Sequence, residues 1–385
     1  MTNSNIPNVL IVARMSPEFN TSTRHIIRVL RKICNIKVIA ESQNGKKIFS
    51  KIIDDAQVIE LPLPFGNKHF LYLTGIIRVI YFNLFAINEI LRNKYSVVIC
   101  SDSIYIFAGI IAKRINRCTF VYHSHEIMWG LGNPRILSLF LGWLEKIAIE
   151  ICDFWIVHSE SRAHLISERH HSTKRYIVFE NFPIEYCTQT NSNSLNNPRL
   201  YKHNVPQNIP IVIFQGSITR KRGLSELIES AQSGDFHVVI QGDGNLLPIL
   251  KKVHHENVTF INACPNEEIM SWVKTADYSF IYYENDCINS AYACSNKFYT
   301  SVFAGIPIIC NRLPSFQIFS DEFGGVAFFE ELTAGAIKDC VCDLINHPVR
   351  HKKLKMDLLL AKEVLRQRNQ ENNLYKEFLT IFTKG

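Results

Sequence analysis

Short apolar runs, each followed by a stretch with helical spacing, recur through most of this 385-residue chain. No other feature restricts its fold as strongly. NVLIVA (8–13) reads as a buried strand, and TRHIIRVLRKIC (23–34) has the apolar period of a helix. IKVIA (36–40), YSVVICS (95–101), TFVYHSHE (119–126), DFWIVHS (153–159) and RYIVFENF (175–182) read as further strands. The helical stretches IFAGIIAKRI and ILSLFLGWLEKIAIEIC fall between them. Strands alternating with helices form parallel sheets covered on both faces.

The pattern stops once and then restarts. CTQTNSNSLNNPRLYKHNVPQN (187–208) is polar and rich in Asn and Ser, and reads as a linker or long surface loop. Beyond it, IPIVIFQG (209–216), FHVVIQGDG, NVTFIN, YSFIYY and IPIIC alternate with GLSELIESAQ, NEEIMSWVKTA and NKFYTSVFAG. Asn266 is the expected N-cap of NEEIMSWVKTA. Gly305 is the expected stop of NKFYTSVFAG, with Pro307 just beyond. The sequence therefore predicts an α/β protein with two doubly wound domains, 1–186 and 209–350, joined by 187–208 and followed by a basic helical segment, 351–385. In such sheets small ligands bind beyond the carboxyl ends of the strands, and a cleft between two such domains is the natural site.

Charge distinguishes the halves. Residues 1–185 hold 22 Lys and Arg against 15 Asp and Glu; the chain totals of 42 and 35 leave the remainder neutral. A basic first half suits an anionic partner such as lipid headgroups or a phosphorylated substrate, unless the excess serves solubility alone. The 11 cysteines are scattered, several within apolar runs, with no zinc-type spacing, which is the pattern of a reduced intracellular protein. MTNSNIPNVLIV reads as a polar tail and a first strand, not a signal peptide. HFLYLTGIIRVIYFNLFAINEIL (69–91) is long and apolar, but Arg78, Asn83, Asn88 and Glu89 interrupt it, so it reads as a core or interfacial helix.

The turns after the strands carry the candidate chemistry. In QGSITRKRGLSELI a strand ends at Gln215; then come Gly216, the cations Arg220, Lys221 and Arg222, a glycine and a helix. A helix start with adjacent cations suits phosphate, the plain alternative being a solvated basic loop. In ACSNKFYTSVFAG, Ser295 or Asn296 can cap the helix, and Lys297 opposes the helix dipole unless an anion compensates. Gly242 and Gly244 in QGDG would let a nucleotide approach the backbone, although glycine turns after strands are common. HSHE (123–126) is not part of HExxH, the chain lacks a PCxxC partner, and no Asp-x-Asp pair occurs, so metal is disfavoured. Its His and Glu can instead hydrogen-bond sugar hydroxyls or assist proton transfer.

Taken in order, FVYHSHE, WLEKIAIEICDFWIVHSESRAHLI, VFENFP, IFQGSITRKRGLSELIESA, VVIQGDG and ACSNKFYTSVFAGIPII resemble a glycosyltransferase of the GT-B fold, closest to the family-4-like bacterial enzymes of surface polysaccharide synthesis. The resemblance spans about residues 8–345. It implies that the second domain binds a UDP- or GDP-linked sugar and that the first receives a glycan acceptor, expected to be lipid-linked. It implies transfer with retention and no metal or other cofactor. His125, Glu126 and Arg222 are then the catalytic candidates, and Gly216, Arg220, Lys221, Gly242, Gly244, Ser295, Asn296, Lys297 and Thr300 the donor-binding ones. Arg24 and His123 fall on the acceptor or sugar side. Three positions depart from the family pattern: His123 stands for an aspartate, Ser295 for a proline, and Thr300 for the ribose-binding glutamate. Losing that charged hydrogen bond would cost about 1.5–3 kcal/mol.

The expected location is the cytoplasm, with the basic first half as the surface for any contact with the inner face of the membrane. The alternative is a non-catalytic sugar-nucleotide-binding or scaffold protein on the same fold. An oxidoreductase is disfavoured because NVLIVARMSPEFN lacks GxGxxG, and nucleic-acid binding because the cations are dispersed.

Overall fold

The computed structural model describes residues 6–42, 47–62, 71–183, 203, 205–206, 208–253 and 255–384, without the side chains of 71–75 and 384. The polar segment 187–208 lies outside them apart from His203, Val205, Pro206 and Asn208. The chain divides into two compact units, Met1–Asn181 with Asn369–Gly385, and Phe182–Arg368.

The first unit is built on a sheet of eight strands: β1 (Asn8–Ala13), β2 (Asn35–Glu41), β3 (Phe49–Ile53), β4 (Ala56–Leu61), β5 (Val97–Ser101), β6 (Thr119–Ser124), β7 (Phe154–Val157) and β8 (Tyr176–Val178). Their order is β3-β4-β2-β1-β5-β6-β7-β8. All pairings are parallel except the β3–β4 hairpin. β1 is central, and from Val9 to Ala13 every residue is buried. A parallel strand covered on both faces has no polar side to show, which is why NVLIVA is a continuous apolar run. The order reverses at β1, which pairs with β2 on one side and β5 on the other.

The second unit has six parallel strands: β9 (Ile211–Gln215), β10 (His237–Gly242), β11 (Val258–Asn262), β12 (Tyr278–Ile281), β13 (Ile308–Asn311) and β14 (Val326–Phe329). Their order is β11-β10-β9-β12-β13-β14. Here β9 is the pivot, flanked by β10 and β12. Both sheets are therefore doubly wound. Each has its ligand-binding crevice expected at the carboxyl ends of the pivot strand and the strand across the switch, β1 with β5 and β9 with β12.

Local chemistry sets the helix ends. Asn20 caps the first helix, Thr21–Leu30, by accepting from Thr23 N at 3.1 Å, so it begins before the predicted Thr23. Gly305 ends Asn296–Ala304 in the left-handed region, φ 71°. Asn266, read as a cap, is the first helical residue instead, with Pro265 at the cap.

Some elements differ from the reading of the sequence. The β3–β4 hairpin goes unseen because β3 has two-sided exposure and no apolar run. Its two-residue turn is Asp54-Asp55, at φ 49° and 68°, with no glycine to announce it. β14 and the helix Pro314–Phe323 were likewise not anticipated. The basic stretch 351–385 is not one segment. Helix Pro348–Gln367 buries Leu354, Leu358, Ala361 and Leu365 in the second unit. Asn369 then turns at φ 46°, and helix Gln370–Lys384 packs Leu374 and Phe378 into the core of the first. Gln370 fixes that return by bonding both the N–H (2.7 Å) and the carbonyl (3.0 Å) of Glu180. Arg175 adds a two-pronged pair with Glu377 at 2.8 and 2.6 Å.

Candidate active site

In the second unit the turns after β9 and β10 run side by side. Gly216 N donates to Gln241 O at 2.9 Å, and Ile218 N to Asp243 O at 2.8 Å. A Cβ on Gly242 would overlap Gly216 O, and one on Gly244 would overlap Ile218 O. These glycines are thus explained by backbone meeting backbone. Gly216 itself lies beneath the Lys297 side chain, which a Cβ there would strike.

The helix Asn296–Ala304 follows the β12 turn and delivers Lys297 from its first turn. Lys297 Nζ sits 4.7 Å from the Phe214 ring and 5.8 Å from the Tyr283 ring. Arg222 covers Tyr283 as well, its guanidinium 4.2 Å from the ring centre. Tyr283 is itself held in place, its hydroxyl donating to Ser295 Oγ at 2.8 Å and its backbone bonded twice to Asn311. Two cations therefore share one aromatic ring at the switch-point end of the sheet. Among the described residues neither has a carboxylate partner, and Arg222 Nε is buried with no acceptor. Burial, and then the nearby Arg222 charge, pull the Lys297 ammonium down to about 7. An anion bound there would remove that penalty.

Other sequence candidates in this unit are engaged elsewhere. Lys221 pairs with Asp286 and, at 3.2 Å, with Glu284. Arg220 is exposed. Asn296 Nδ2 donates to Phe182 O at 3.3 Å. Thr300 is buried, and its hydroxyl donates to Asn296 O at 2.9 Å within its own helix. Ser295 occupies the N-cap position without capping.

In the first unit, HSHE spans the end of β6. Ser101 lies opposite His123 in the β5–β6 ladder. His123 is buried, with Ser22 Oγ and Ser101 Oγ each 3.4 Å from a ring nitrogen. His158, just beyond β7, is buried too, and its Nδ1 is 3.0 Å from Phe179 O. That carbonyl can only accept, so Nδ1 carries the proton and Nε2 is a bare acceptor with no partner among the described residues. The rings of His123, His125 and His158 meet edge-on with centroids 5.1–5.8 Å apart. Burial lowers His123 to about 3 and His158 well below the usual histidine range, so both are neutral.

His125 and Glu126 are partly exposed and are gripped through their backbone. Asp102, immediately after β5, accepts from His125 N at 3.2 Å and Glu126 N at 3.0 Å. Arg162 donates to His125 O at 2.9 Å, and lies 3.8 Å from the Glu126 carboxylate. The cap Ser159, which accepts from Arg162 N at 3.2 Å, orients that arginine's helix. Beneath the strand, buried Glu145 receives Tyr122 OH and Met128 N, each at 3.3 Å, and meets His170 at 3.0 Å. Arg24 is directed to Asp54 at 2.7 Å, alongside Arg28 at 3.0 Å. Against the opposing effect of burial, these two hold the Asp54 carboxyl below its ordinary range.

The structure thus gathers His123, His125 and Glu126 in one unit, and Gly216, Arg222, Gly242, Gly244 and Lys297 in the other. Asp102, His158, Arg162 and Tyr283 were not singled out from the sequence. The available signal was position: Asp102 and His158 are the first polar residues beyond the buried strands ending at Ser101 and Val157.

Two doubly wound sheets of this kind in one chain define the GT-B glycosyltransferase fold, and this chain has it. Sucrose-phosphate synthase from Thermosynechococcus elongatus matches with TM-score 0.71 and 13% identity, over 98% of this chain and 100% of that one. HepE from Anabaena, solved with UDP and glucose, matches with TM-score 0.65 and 12% identity, over 97% and 99%. WaaG, a glycosyltransferase involved in lipopolysaccharide biosynthesis, gives TM-score 0.67 and 10% identity, over 95% and 98%. No protein-family model and no curated protein sequence matches the chain.

Proposed function

We propose that the protein is a glycosyltransferase that moves a sugar from a UDP- or GDP-linked donor to a glycan acceptor in surface polysaccharide synthesis. The observation that carries this reading is the pair Arg222 and Lys297 on Tyr283, two cations with no carboxylate partner among the described residues. As the glycosidic bond breaks, charge develops on the leaving diphosphate. Preorganised cations in a partly dry site stabilise that charge, so the reaction needs no metal. In this reading the glycine-lined turns of Gly216, Gly242 and Gly244 accept the nucleotide. The donor set from the sequence, Arg220, Lys221, Ser295, Asn296 and Thr300, then borders the site. His125, Glu126, His123 and Arg24 serve the sugar and acceptor side, and transfer proceeds with retention.

The acceptor is assigned as a lipid-linked glycan met at the cytoplasmic face of a membrane. The basic surplus of residues 1–185 supports this. So do the exposed Ile76, Ile80 and Leu84 on helix Leu71–Arg92 and Ile136, Phe140 and Trp143 on helix Arg135–Ile151. Among the described residues no helix is long and apolar enough to cross a membrane.

The test is transfer or hydrolysis with a panel of UDP- and GDP-sugars in the presence of chelator. Turnover with one donor is expected, and its abolition by EDTA would overturn the metal-free mechanism. Thr300 favours one second reading, a non-catalytic nucleotide-sugar-binding protein, because its hydroxyl is engaged within its own helix. Calorimetric binding of a donor without turnover on any of the panel would select it.

A further inference from the structure

Asp102 has backbone angles φ 65° and ψ 155°. That region is essentially reserved for glycine, and a side chain persists there only when its surroundings impose it. Asp102 stands at the N-cap of the short 3-10 helix Ser103–Tyr105, where an aspartate ordinarily caps, yet its side chain makes no capping bond. Its carbonyl accepts from Tyr105 N at 3.4 Å, while its N–H and carboxylate turn to the neighbouring strand end. Its N–H donates to His123 O at 2.9 Å, which extends the β5–β6 ladder by one bond. Its Oδ1 takes the N–H of Glu126 at 3.0 Å and shares that of His125, which also donates to His123 O at 3.0 Å. The carboxylate is buried, so those two N–H groups are not readily traded for water.

We propose that Asp102 is a positioning residue: its strained backbone persists because it aims a buried carboxylate at the N–H groups of His125 and Glu126, fixing the direction of both side chains. With Arg162 holding His125 O from the other side, the turn is pinned at both backbone faces. The inference rests on the assignment of His125 and Glu126 to the transfer site. Its geometric half stands independently of that assignment.

The experiment compares Asp102→Gly, Asp102→Ala and Asp102→Asn in the full chain. Amide hydrogen exchange at Glu126 reads the clamp, because the His125 N–H keeps His123 O as an acceptor in every variant. Protection is expected to be lost in the Gly and Ala variants and largely kept in Asn, which retains an acceptor oxygen. Glycine tolerates the backbone angles and alanine does not, so Asp102→Gly should melt above Asp102→Ala by several degrees. With an identified donor, kcat should fall about a hundredfold in Gly and Ala, the scale of a misplaced catalytic group. The donor dissociation constant should stay unchanged, and Asn should recover most of the rate. Wild-type protection of the Glu126 amide in Asp102→Gly overturns the clamp. Wild-type kcat in that variant, with Arg222→Ala inactive, overturns the positioning role while leaving the transferase reading intact. If no donor turns over at all, the transferase reading fails, and the exchange data alone decide whether the clamp exists.

Discussion

Two sets of strand ends, one in each doubly wound sheet, have opposite chemistry. At the ends of β9 and β12, Arg222 and Lys297 stand together with no carboxylate partner among the described residues, and the ammonium is held down to about 7 by burial and by its neighbour. At the ends of β5 and β6, buried imidazoles are neutral, and the charges that remain, Asp102, Glu126 and Arg162, are tied to backbone or to each other. One site lacks an anion, whereas the other is nearly balanced. A doubly wound sheet supplies a crevice at its strand ends, but the side chains there decide whether that crevice is suited to a diphosphate or to neutral hydroxyls.

The largest effect that can break this contrast is Arg222→Ala. Removing one donor to developing charge should lower kcat about 10²–10³-fold while the thermal transition stays close to wild type. Near-wild-type turnover would show that the diphosphate is held elsewhere. Next comes pH at Lys297. A bound diphosphate prefers the charged ammonium, so affinity for UDP or GDP should weaken as pH rises above about 7. Each unit of pH should cost up to about tenfold in affinity. Calorimetry should also record proton uptake on binding near that pH, and Lys297→Met should bind weakly with no uptake. A flat affinity between pH 6 and 9 in the wild type would remove Lys297 from the site.

A smaller, opposite test concerns the balanced site. Burial pushes the Asp102 carboxyl up to about 6, with Glu126 adding, and with His125, the Glu126 N–H and Arg14 opposing. The unfolded carboxyl titrates near 3.9, so the folded state binds this proton more tightly. The stability it contributes is therefore fully present below about pH 4 and is lost as pH rises through about 6. Urea unfolding should show that loss in the wild type, and Asp102→Asn should flatten it. The smallest effect is expected at Thr300. Thr300→Val removes one back-bond within a helix, about 1 kcal/mol of stability at most, and should leave donor affinity within about twofold. A marked loss of nucleotide affinity would instead reveal a ribose contact at that position.

Much of the framework was legible because buried parallel strands leave an unmistakable apolar signature. NVLIVA and IVIFQ correspond to β1 and β9, the pivots of the two sheets, and a glycine or polar residue follows each strand where the crevice lies. Gly216 could be picked out for that reason, and Lys297 because a cation in a first helical turn opposes the helix dipole. β3 escaped because its side chains are largely exposed and so carry no pattern. Asp102 escaped because nothing in ICSDSIY distinguishes an ordinary turn aspartate from one at φ 65°. Spacing alone grouped the three cations of TRKR in one phosphate turn, and only the family resemblance set Arg222 apart; in the structure one is exposed, one pairs with Glu284 and Asp286, and one lies on Tyr283.

By itself the sequence determined the two alternating halves, the polar break between them and the residues at the strand ends, since periodicity and turn chemistry are local properties of the chain. Only the tertiary structure decided that helix Gln370–Lys384 returns to the first unit. It alone decided that Thr300 bonds its own helix, that three histidines at two strand ends meet, and that Tyr283 carries two cations. Apart from the Thr300 back-bond, those facts depend on contacts between residues far apart in the chain, where burial sets protonation and a neighbour's charge sets whether a cation is free.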